Sequence, residues 1–327
     1  MSRRVAPLLF ASVLTAAPAG TVPARAQTFP ARAVTWVVPF TPGGVTDSGS
    51  RTVGKVWAEK LGQPVVIDNR PGGGGIVGTE HVAASKPDGY TVIYGTSGTM
   101  AANLALYGNV SYKPLVNFKP VHGMAETPLV CVANPSKPFK TFAAFIVYAK
   151  ANPGQVNFGS AGPGTATHLS VELLQKVAGI KLTHIPYKGS SPALTDLIAG
   201  VTDMMCDYSV AVRSQIEAGK LVPLAVTAES RMRGHPDVPT VAELGFPAAT
   251  IRAWSAVLVP AATPDAVVGR LAETFSAALK DPAAIRYMEE NGSVPMFDYD
   301  PAKLRGFIET EMKIWRELVE TANAKVY

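Results

Sequence analysis

The amino-acid sequence predicts an α/β protein. Short apolar runs typical of buried strands alternate along the chain with segments whose apolar residues recur at helical spacing, and loops of small residues join them. This strand–loop–helix pattern occurs in two successive stretches, and three further helices near the C-terminus each open with a capping residue before a proline. We therefore expect two α/β units connected by ordered strands, because no low-complexity linker separates them.

The first 26 residues are predicted to be a cleaved leader. Arginines precede an apolar core, and Ala24-Arg25-Ala26 has the A-x-A form of a cleavage site, so we expect a secretory signal peptide cut after Ala26. The formal net charge is +5, and removing the three arginines of the leader leaves +2. The basic composition therefore indicates export and not nucleic-acid binding. Later apolar runs stay below the about 18 residues of a membrane span, so we expect a periplasmic protein.

The first unit opens with VTWVVPF (34–40), an apolar run that predicts a buried strand. A Thr-Pro-Gly-Gly turn follows, and then a predicted helix that Gly62 is placed to end. PVVID (64–68) and YTVIYG (90–95) are predicted as further strands. The helix has its apolar residues on one face, namely Val53, Val56, Trp57 and Leu61.

The second unit repeats this order. VNFGS (156–160) predicts a strand that leads through a glycine loop into a helix ending at Gly179. After LTHIPY (182–187), Ser191 is the expected N-cap of a helix with Pro192 as its first residue. VTDMMCD and KLVPLAVTA predict two more strands. The C-terminal helices are expected to begin at Thr263-Pro264, Asp281-Pro282 and Asp300-Pro301.

Two cysteines, Cys131 and Cys206, lie inside apolar runs. We expect buried small apolar residues here, and a disulfide is the less favoured alternative. Their separation without a C-x-x-C pair is not typical of a zinc site.

Three loops have the composition expected of a ligand site. PFTPGGVTD (39–47), GTSGT (95–99) and GSAGPGTATH (159–168) follow predicted strands, are rich in small residues and hold almost no charge. Ligands of open α/β sheets bind beyond the carboxyl ends of strands, where helix N-termini offer N–H donors to anions. The loops therefore predict a carboxylate or other anion site, and the alternative is that they are tight turns without a ligand. Candidate hydroxyl donors are Ser97, Ser160 and Thr165.

Four charged or titratable residues accompany these loops. Asp47 is placed either to cap its helix or to contact a ligand, and one residue can do both. For His168 we favour a neutral ring that hydrogen-bonds the backbone over a ligand contact. Lys188 is placed to reach either solvent or an anion. Asp207 ends a predicted strand, where a cleft-facing carboxylate can accept a hydrogen bond from a hydroxyl or amine.

The motif G-x-G-x-x-G occurs at Gly73, Gly75 and Gly78. A dinucleotide fingerprint also requires an acidic residue about 20 residues further on, at the end of the next strand. That strand ends in Tyr94-Gly95-Thr96-Ser97, which contains no acid. We therefore expect no dinucleotide and interpret Gly72–Gly75 as a turn into a close-packed helix.

Other enzyme templates also fail. The sequence has no G-x-S-x-G nucleophile elbow, no phosphate-binding P-loop and no H-E-x-x-H motif. These templates therefore identify no enzyme class, and a Ser–His–Asp triad stays open because all three residue types occur. We expect neither a cofactor nor a metal.

Seven segments in order resemble one family. They are VVPFTPGGVTDSGSR, LGQPVVIDNRPGGGGIVG, KPDGYTVIYGTSGT, FGSAGPGTATHLSVELL, HIPYKGSSPALTDLIAG, LAVTAESR and HPDVPTVAELGFP. The chain resembles the extracytoplasmic solute-binding proteins of tripartite tricarboxylate transporters, the Bug family, over nearly its whole mature length.

The resemblance implies a type II periplasmic-binding-protein fold, with a ligand cleft between two α/β domains. Domain 1 comprises 27–128 and 253–327, and domain 2 comprises 129–252. The implied ligand is a small organic acid (a di- or tricarboxylate, an acidic amino acid or an aromatic acid), and the implied partners are inner-membrane transporter subunits. The implied ligand-binding residues are Phe40, Thr41, Pro42, Gly43, Gly44, Thr46, Asp47, Ser97, Ser160, Ala161, Gly162, Gly164, Thr165, His168, Tyr187, Lys188 and Asp207.

The chain departs from the family pattern at three places. Thr41 stands where proline is common, Gly49-Ser50 replaces a pair that usually contains alanine, and Cys206 replaces a frequent phenylalanine. The resemblance to the family therefore does not identify which acid this chain binds. Two alternatives stay open: a receptor that signals to a sensor kinase, and an α/β enzyme acting on a carboxylate with His168 and Asp207 as acid and base.

Overall fold

The structure is a computed structural model that describes residues 29–321, so the predicted leader lies outside the described residues. The described chain forms two β-sheets flanked by helices, which confirms the α/β prediction. Within this range, no helix combines the length and the apolar character needed to cross a membrane.

The strands in chain order are β1 Val34–Val38, β2 Val65–Asn69, β3 Thr91–Thr96, β4 Phe118–Pro128, β5 Val130–Ala133, β6 Asn157–Ser160, β7 Thr183–Pro186, β8 Met204–Asp207, β9 Val222–Val226, β10 Arg252–Pro260 and β11 Val294–Pro295. The helices are α1 Val45–Leu61, α2 Ile76–Ala83, α3 Asn103–Leu106, α4 Pro114–Asn117, α5 Phe142–Ala151, α6 Ala166–Ala178, α7 Ser190–Ile198, α8 Ser209–Glu217, α9 Asp265–Leu279, α10 Pro282–Glu290 and α11 Pro301–Thr321. A π-helical turn, Gly98–Ala102, precedes α3.

The six-stranded sheet has the order β11-β4-β10-β3-β1-β2, and the five-stranded sheet has the order β7-β6-β8-β5-β9. Strand β1 pairs in parallel with β2 and β3, while β10 runs antiparallel to β3 and β4. The chain passes from the first sheet to the second between β4 and β5, and β10 returns it to the first. We call the elements around the six-stranded sheet the first half and those around the five-stranded sheet the second half.

Aromatic packing fixes α1 against the first sheet. The ring of Trp36 on β1 packs edge-on against Trp57 at 5.3 Å, and Trp57 packs against Phe275 of α9 at 4.9 Å. All three side chains are buried. The indole of Trp57 also donates a 3.0 Å hydrogen bond to Thr274 Oγ1. Helix α1 is therefore held with its N-terminus beyond the end of β1, where the ligand loop was predicted.

Both major predicted helices end as expected. Helix α1 buries the predicted apolar face and stops at Gly62, whose φ is 76°. Helix α6 stops at Gly179, whose φ is 62°. Such left-handed backbone favours glycine, because a Cβ is strained there.

The glycine motif serves close packing, as predicted. A Cβ on Gly75 would lie 2.6 Å from Thr99 Cγ2, and one on Gly78 would lie 2.9 Å from Pro39 Cα. The 3₁₀ turn at Gly73–Gly75 leads directly into α2. Only glycine lets α2 lie this close to the loop after β1.

Two predicted helix starts were wrong. Helix α7 begins at Ser190 with Gly189 as its N-cap, because the hydroxyl of Ser191 donates instead to Pro42 O at 2.8 Å, across the two halves. Helix α9 begins at Asp265, and the Thr263 hydroxyl bonds Pro260 O at 2.7 Å. In contrast, Asp281 caps α10 as predicted, accepting from the Ala283 N–H at 3.0 Å.

The preference for unpaired cysteines was also wrong. Cys131 on β5 and Cys206 on β8 are directly opposite each other in antiparallel strands and form a disulfide. Both residues are buried, as expected. Strand register brings them together, and sequence alone does not fix that register.

Candidate functional site

A cavity lies between the two halves, beyond the carboxyl ends of strands from both sheets. It encloses about 420 Å³ of space free of atoms, part of which opens to solvent. Its walls are formed by Phe40, Thr41, Gly44, Val45, Thr46, Thr96, Ser97, Gly98, Ala161, Thr165, Ala166, Thr167, Ser190 and Tyr208.

Four helices begin at this cavity. Its lining includes the N-cap or first-turn residues of α1, α6, α7 and α8. None of the four has a side-chain hydrogen bond at its N-cap, whereas Thr141 caps α5 and Asp281 caps α10 elsewhere in the molecule. The first N–H groups of a helix need acceptors and carry partial positive charge. Together the four N-termini make a site suited to an anion.

The cavity lining contains no acidic or basic side chain among residues 29–321. Its polar side-chain groups are hydroxyls from serine, threonine and Tyr208. Two of them, Thr41 Oγ1 and Ser97 Oγ, are buried and lack a hydrogen-bond partner within the described chain. A buried hydroxyl without a partner is costly, so both hydroxyls are available to bond a polar group that enters the cavity.

Asp207 lies behind the cavity wall. Its Oδ1 accepts hydrogen bonds from Ser190 Oγ at 3.0 Å and from the Tyr208 N–H at 2.8 Å. Both donors belong to residues that line the cavity. Burial raises the pKa of Asp207 to about 6, against the lowering effect of these two bonds. Its Oδ2 has no partner among the described residues, so Asp207 supports the wall and leaves one buried acceptor unused.

Asp47 braces the glycine turn of the first half. Its Oδ2 accepts from the Gly43 N–H at 3.0 Å, and its carboxylate pairs with Arg51 at 3.0 Å. Burial works to raise the pKa of Asp47, but the hydrogen bonds from Arg51 and Gly43 outweigh it and hold the pKa below its ordinary value. Asp47 is therefore an anion that shapes the loop, and it does not line the cavity.

A histidine stack supports the loop between β6 and α6. His168 accepts from the Gly164 N–H at 3.2 Å through Nδ1, which confirms the backbone bond predicted for this residue. Its ring stacks on His184 at 4.1 Å, and His184 Nε2 lies 2.6 Å from Ser160 Oγ. Burial and the neighbouring His168 lower the pKa of His184 to about 3. The stack is thus a support for the loop and lies outside the cavity lining.

Two other predicted residues point elsewhere. The Tyr187 hydroxyl donates to Asp196 Oδ2 at 2.6 Å within the second half. Lys188 is exposed to solvent. Neither lines the cavity.

The structure places seven of the predicted ligand-binding residues in the cavity wall: Phe40, Thr41, Gly44, Thr46, Ser97, Ala161 and Thr165. The other ten lie outside it: Pro42, Gly43, Asp47, Ser160, Gly162, Gly164, His168, Tyr187, Lys188 and Asp207. Seven lining residues were missed: Val45, Thr96, Gly98, Ala166, Thr167, Ser190 and Tyr208. Five of these lie inside the predicted loops. Ser190 and Tyr208 each follow a predicted residue by one or two positions. The rule that ligands bind beyond the carboxyl ends of strands could therefore have included them.

Within residues 29–321, no group of three or more histidine, cysteine or acidic side chains is arranged to hold a metal ion.

Comparisons with known proteins agree on one family. Residues 50–324 match the family model described as the tripartite tricarboxylate transporter family receptor. The protein BugT of Bordetella pertussis is 37% identical over 305 residues, which cover 93% of each chain.

Two solved structures from Rhodopseudomonas palustris are similar over most of their length. One, determined with adipate, is 36% identical with a TM-score of 0.86 and covers 90% of this chain and 98% of its own. The other, MatC with bound malate, is 33% identical with a TM-score of 0.85 and covers 89% of this chain and 100% of its own. The two-domain fold of periplasmic binding proteins is therefore shared. The chain belongs to the tripartite tricarboxylate transporter receptor family and is a solute-binding receptor, not an enzyme.

Proposed function

We propose that this protein captures a small organic carboxylate in the cavity between its two halves and delivers it to a tripartite tricarboxylate-type membrane transporter. The observation that carries the proposal is the set of four helix N-termini without side-chain caps that open on the cavity. Among the described residues, the cavity is lined by hydroxyls and by no charged side chain. Such a site neutralises an anion with backbone dipoles and hydrogen bonds.

The solved relatives support a carboxylate as ligand, since one was determined with adipate and the other with malate. Malate and adipate differ in length and in hydroxyl content, so the relatives do not narrow the ligand further. We propose that the hydroxyls lining the cavity bind one carboxylate group. The candidate residues outside the lining are proposed to act indirectly, by holding in place the loops on which they lie.

The membership in a receptor family supports a periplasmic location after cleavage of residues 1–26. It also supports the proposed domains, 27–128 with 253–327 and 129–252, and inner-membrane transporter subunits as the partners. A receptor that presents the same closed form to a sensor kinase is the second candidate function, and capture of a partner by the ligand-bound protein distinguishes the two.

The direct test is a thermal-shift screen of residues 27–327, refolded to remove carried-over ligand. The panel contains mono-, di- and tricarboxylates, acidic amino acids, aromatic acids and NAD. A ligand at a hundredfold excess over its dissociation constant stabilises the native state by about 2.7 kcal/mol. We expect a shift with one class of acid. A shift with NAD and none with any acid would overturn the proposal.

A further inference from the structure

The two halves touch at contacts that place glycine against the opposite half. Gly74 of the first half lies against Pro163 of the second, and the Tyr107 hydroxyl donates to Pro163 O at 3.2 Å beside it. At another contact, Gly189 of the second half lies against Thr41 of the first. We call Gly74 and Gly189 the seam glycines, and their two contacts with the opposite half the closure seam.

A side chain at Gly74 would collide with the opposite half. Its Cβ would lie 2.2 Å from Pro163 O, well inside the about 3.3–3.6 Å of weak C–H···O contacts. The obstacle is a backbone oxygen, so no change of rotamer relieves it. Glycine is therefore needed at position 74 for two reasons. Its φ of +60° favours glycine, and a side chain there would keep the two halves apart.

At Gly189 the need for glycine comes from limited space and not from backbone strain. Its φ is 167°, an extended value that any residue adopts. Even so, a Cβ there would lie 2.0 Å from Thr41 Oγ1 and 3.1 Å from the Thr41 backbone nitrogen. Contact across the halves is therefore the constraint that requires glycine at this position.

The two seam glycines lie outside the ligand cavity. Gly74 and Gly189 do not line it, whereas Thr41, which Gly189 faces, does. Their contacts join the loops before α2 and α1 of the first half to the loops after β6 and β7 in the second. The seam glycines therefore act on the closing of the two halves without touching a ligand in the cavity.

We propose that the seam glycines set how completely the two halves close, and through this the affinity for every ligand alike. The inference rests on the proposed receptor function. Apparent affinity equals intrinsic affinity scaled by the population of the closed form. A substitution that penalises only the closed form therefore weakens all ligands by one factor, whereas a change in the cavity wall alters the preference among them.

Closure can be measured without a ligand. A Cβ on Gly43 would lie 3.0 Å from Ser191 Oγ, so the pair Gly43→Cys and Ser191→Cys brings two sulfurs within bonding reach when the halves touch. The native cysteines are already paired with each other. The rate of oxidative cross-linking in this background reports the closed population.

The test adds Gly74→Ala to this background, with Gly179→Ala as the matched control. Gly179 has a φ of +62°, and a Cβ there meets nothing within 4 Å, so the control carries the same backbone cost without the contact. We expect Gly74→Ala to slow cross-linking by at least about tenfold, which corresponds to about 1.4 kcal/mol. We expect the control to leave it unchanged. Equal rates in the two variants would overturn the proposal.

A second arm measures binding of adipate and of malate to Gly74→Ala, whose added Cβ meets Pro163 O and no residue of the cavity wall. Each acid that binds the wild type is expected to weaken by the same factor. A different factor for each acid would overturn the proposal. If the wild type binds neither acid while Gly74→Ala still slows cross-linking, the seam stands and the ligand class of the proposed function is at fault.

Discussion

The buried carboxyl of Asp207 makes the stability of this protein depend on pH. Its ordinary pKa of 3.8 rises to about 6 in the folded protein, mainly because the group is buried. Below pH 3.8 the carboxyl is neutral in both the folded and the unfolded chain, and it costs nothing. Above about pH 6 it is ionised in both, and the folded protein bears the full cost of the buried charge.

The size of that cost follows from the two pKa values. They differ by about 2 units, and each unit is worth about 1.36 kcal/mol. Ionised Asp207 therefore lowers the free energy of unfolding by about 3 kcal/mol, and the loss develops as pH rises between the two values.

Asp207→Asn removes the charge and keeps a carbonyl oxygen for the donors on Ser190 and Tyr208. We expect urea unfolding to show that the free energy of unfolding of the variant, relative to wild type, rises by about 2 kcal/mol from pH 4 to pH 7, because a small part of the cost is already present at pH 4. Asp47→Asn is the control of opposite sign, because the pKa of Asp47 is held low and its contribution is lost as pH falls. Parallel stability profiles for wild type and Asp207→Asn would refute the reasoning.

Three further changes test other parts of the structure. Ser97→Ala removes a buried hydroxyl that has no partner within the described chain; we expect ligand affinity by calorimetry to fall about 2- to 10-fold without loss of stability in urea, and unchanged affinity would contradict this. Tyr107→Phe removes the bond to Pro163 and should weaken every ligand by a similar factor of about 2 to 10, so a loss confined to one ligand would count against the closure argument. Replacing Cys131 and Cys206 by alanine removes a disulfide that joins residues 75 positions apart. We expect the free energy of unfolding to fall by about 2–5 kcal/mol. Two free thiols in the oxidised, unfolded wild type would show that the disulfide does not form.

The sequence predicted the parts of the site that depend on local chemistry. Small residues after a strand mark a loop that approaches a ligand, and this rule located Phe40, Ser97 and Thr165 in the cavity wall. The backbone hydrogen bond of His168 was predicted from a different observation, its place in the first turn of a helix, and the structure contains that bond.

What the sequence left open depends on contacts between distant residues. The disulfide requires β5 and β8 to pair in one register, which no local pattern specifies. Asp207 was expected to face the cleft, but its carboxylate turns to Ser190 and Tyr208, and these two residues form the wall. The contact of Gly189 with Thr41 spans the two halves, so the need for glycine there is visible only once both are assembled.

The central claim is that helix N-termini and hydroxyls hold an organic anion between the two halves. A crystal structure of residues 27–327 with an acid found in the thermal-shift screen tests it most directly. We predict a ligand carboxylate in the cavity, within about 3.2 Å of backbone N–H groups in the first turn of α1 or α6. A ligand bound outside the cavity, or a carboxylate held by a lysine or arginine side chain, would contradict the account.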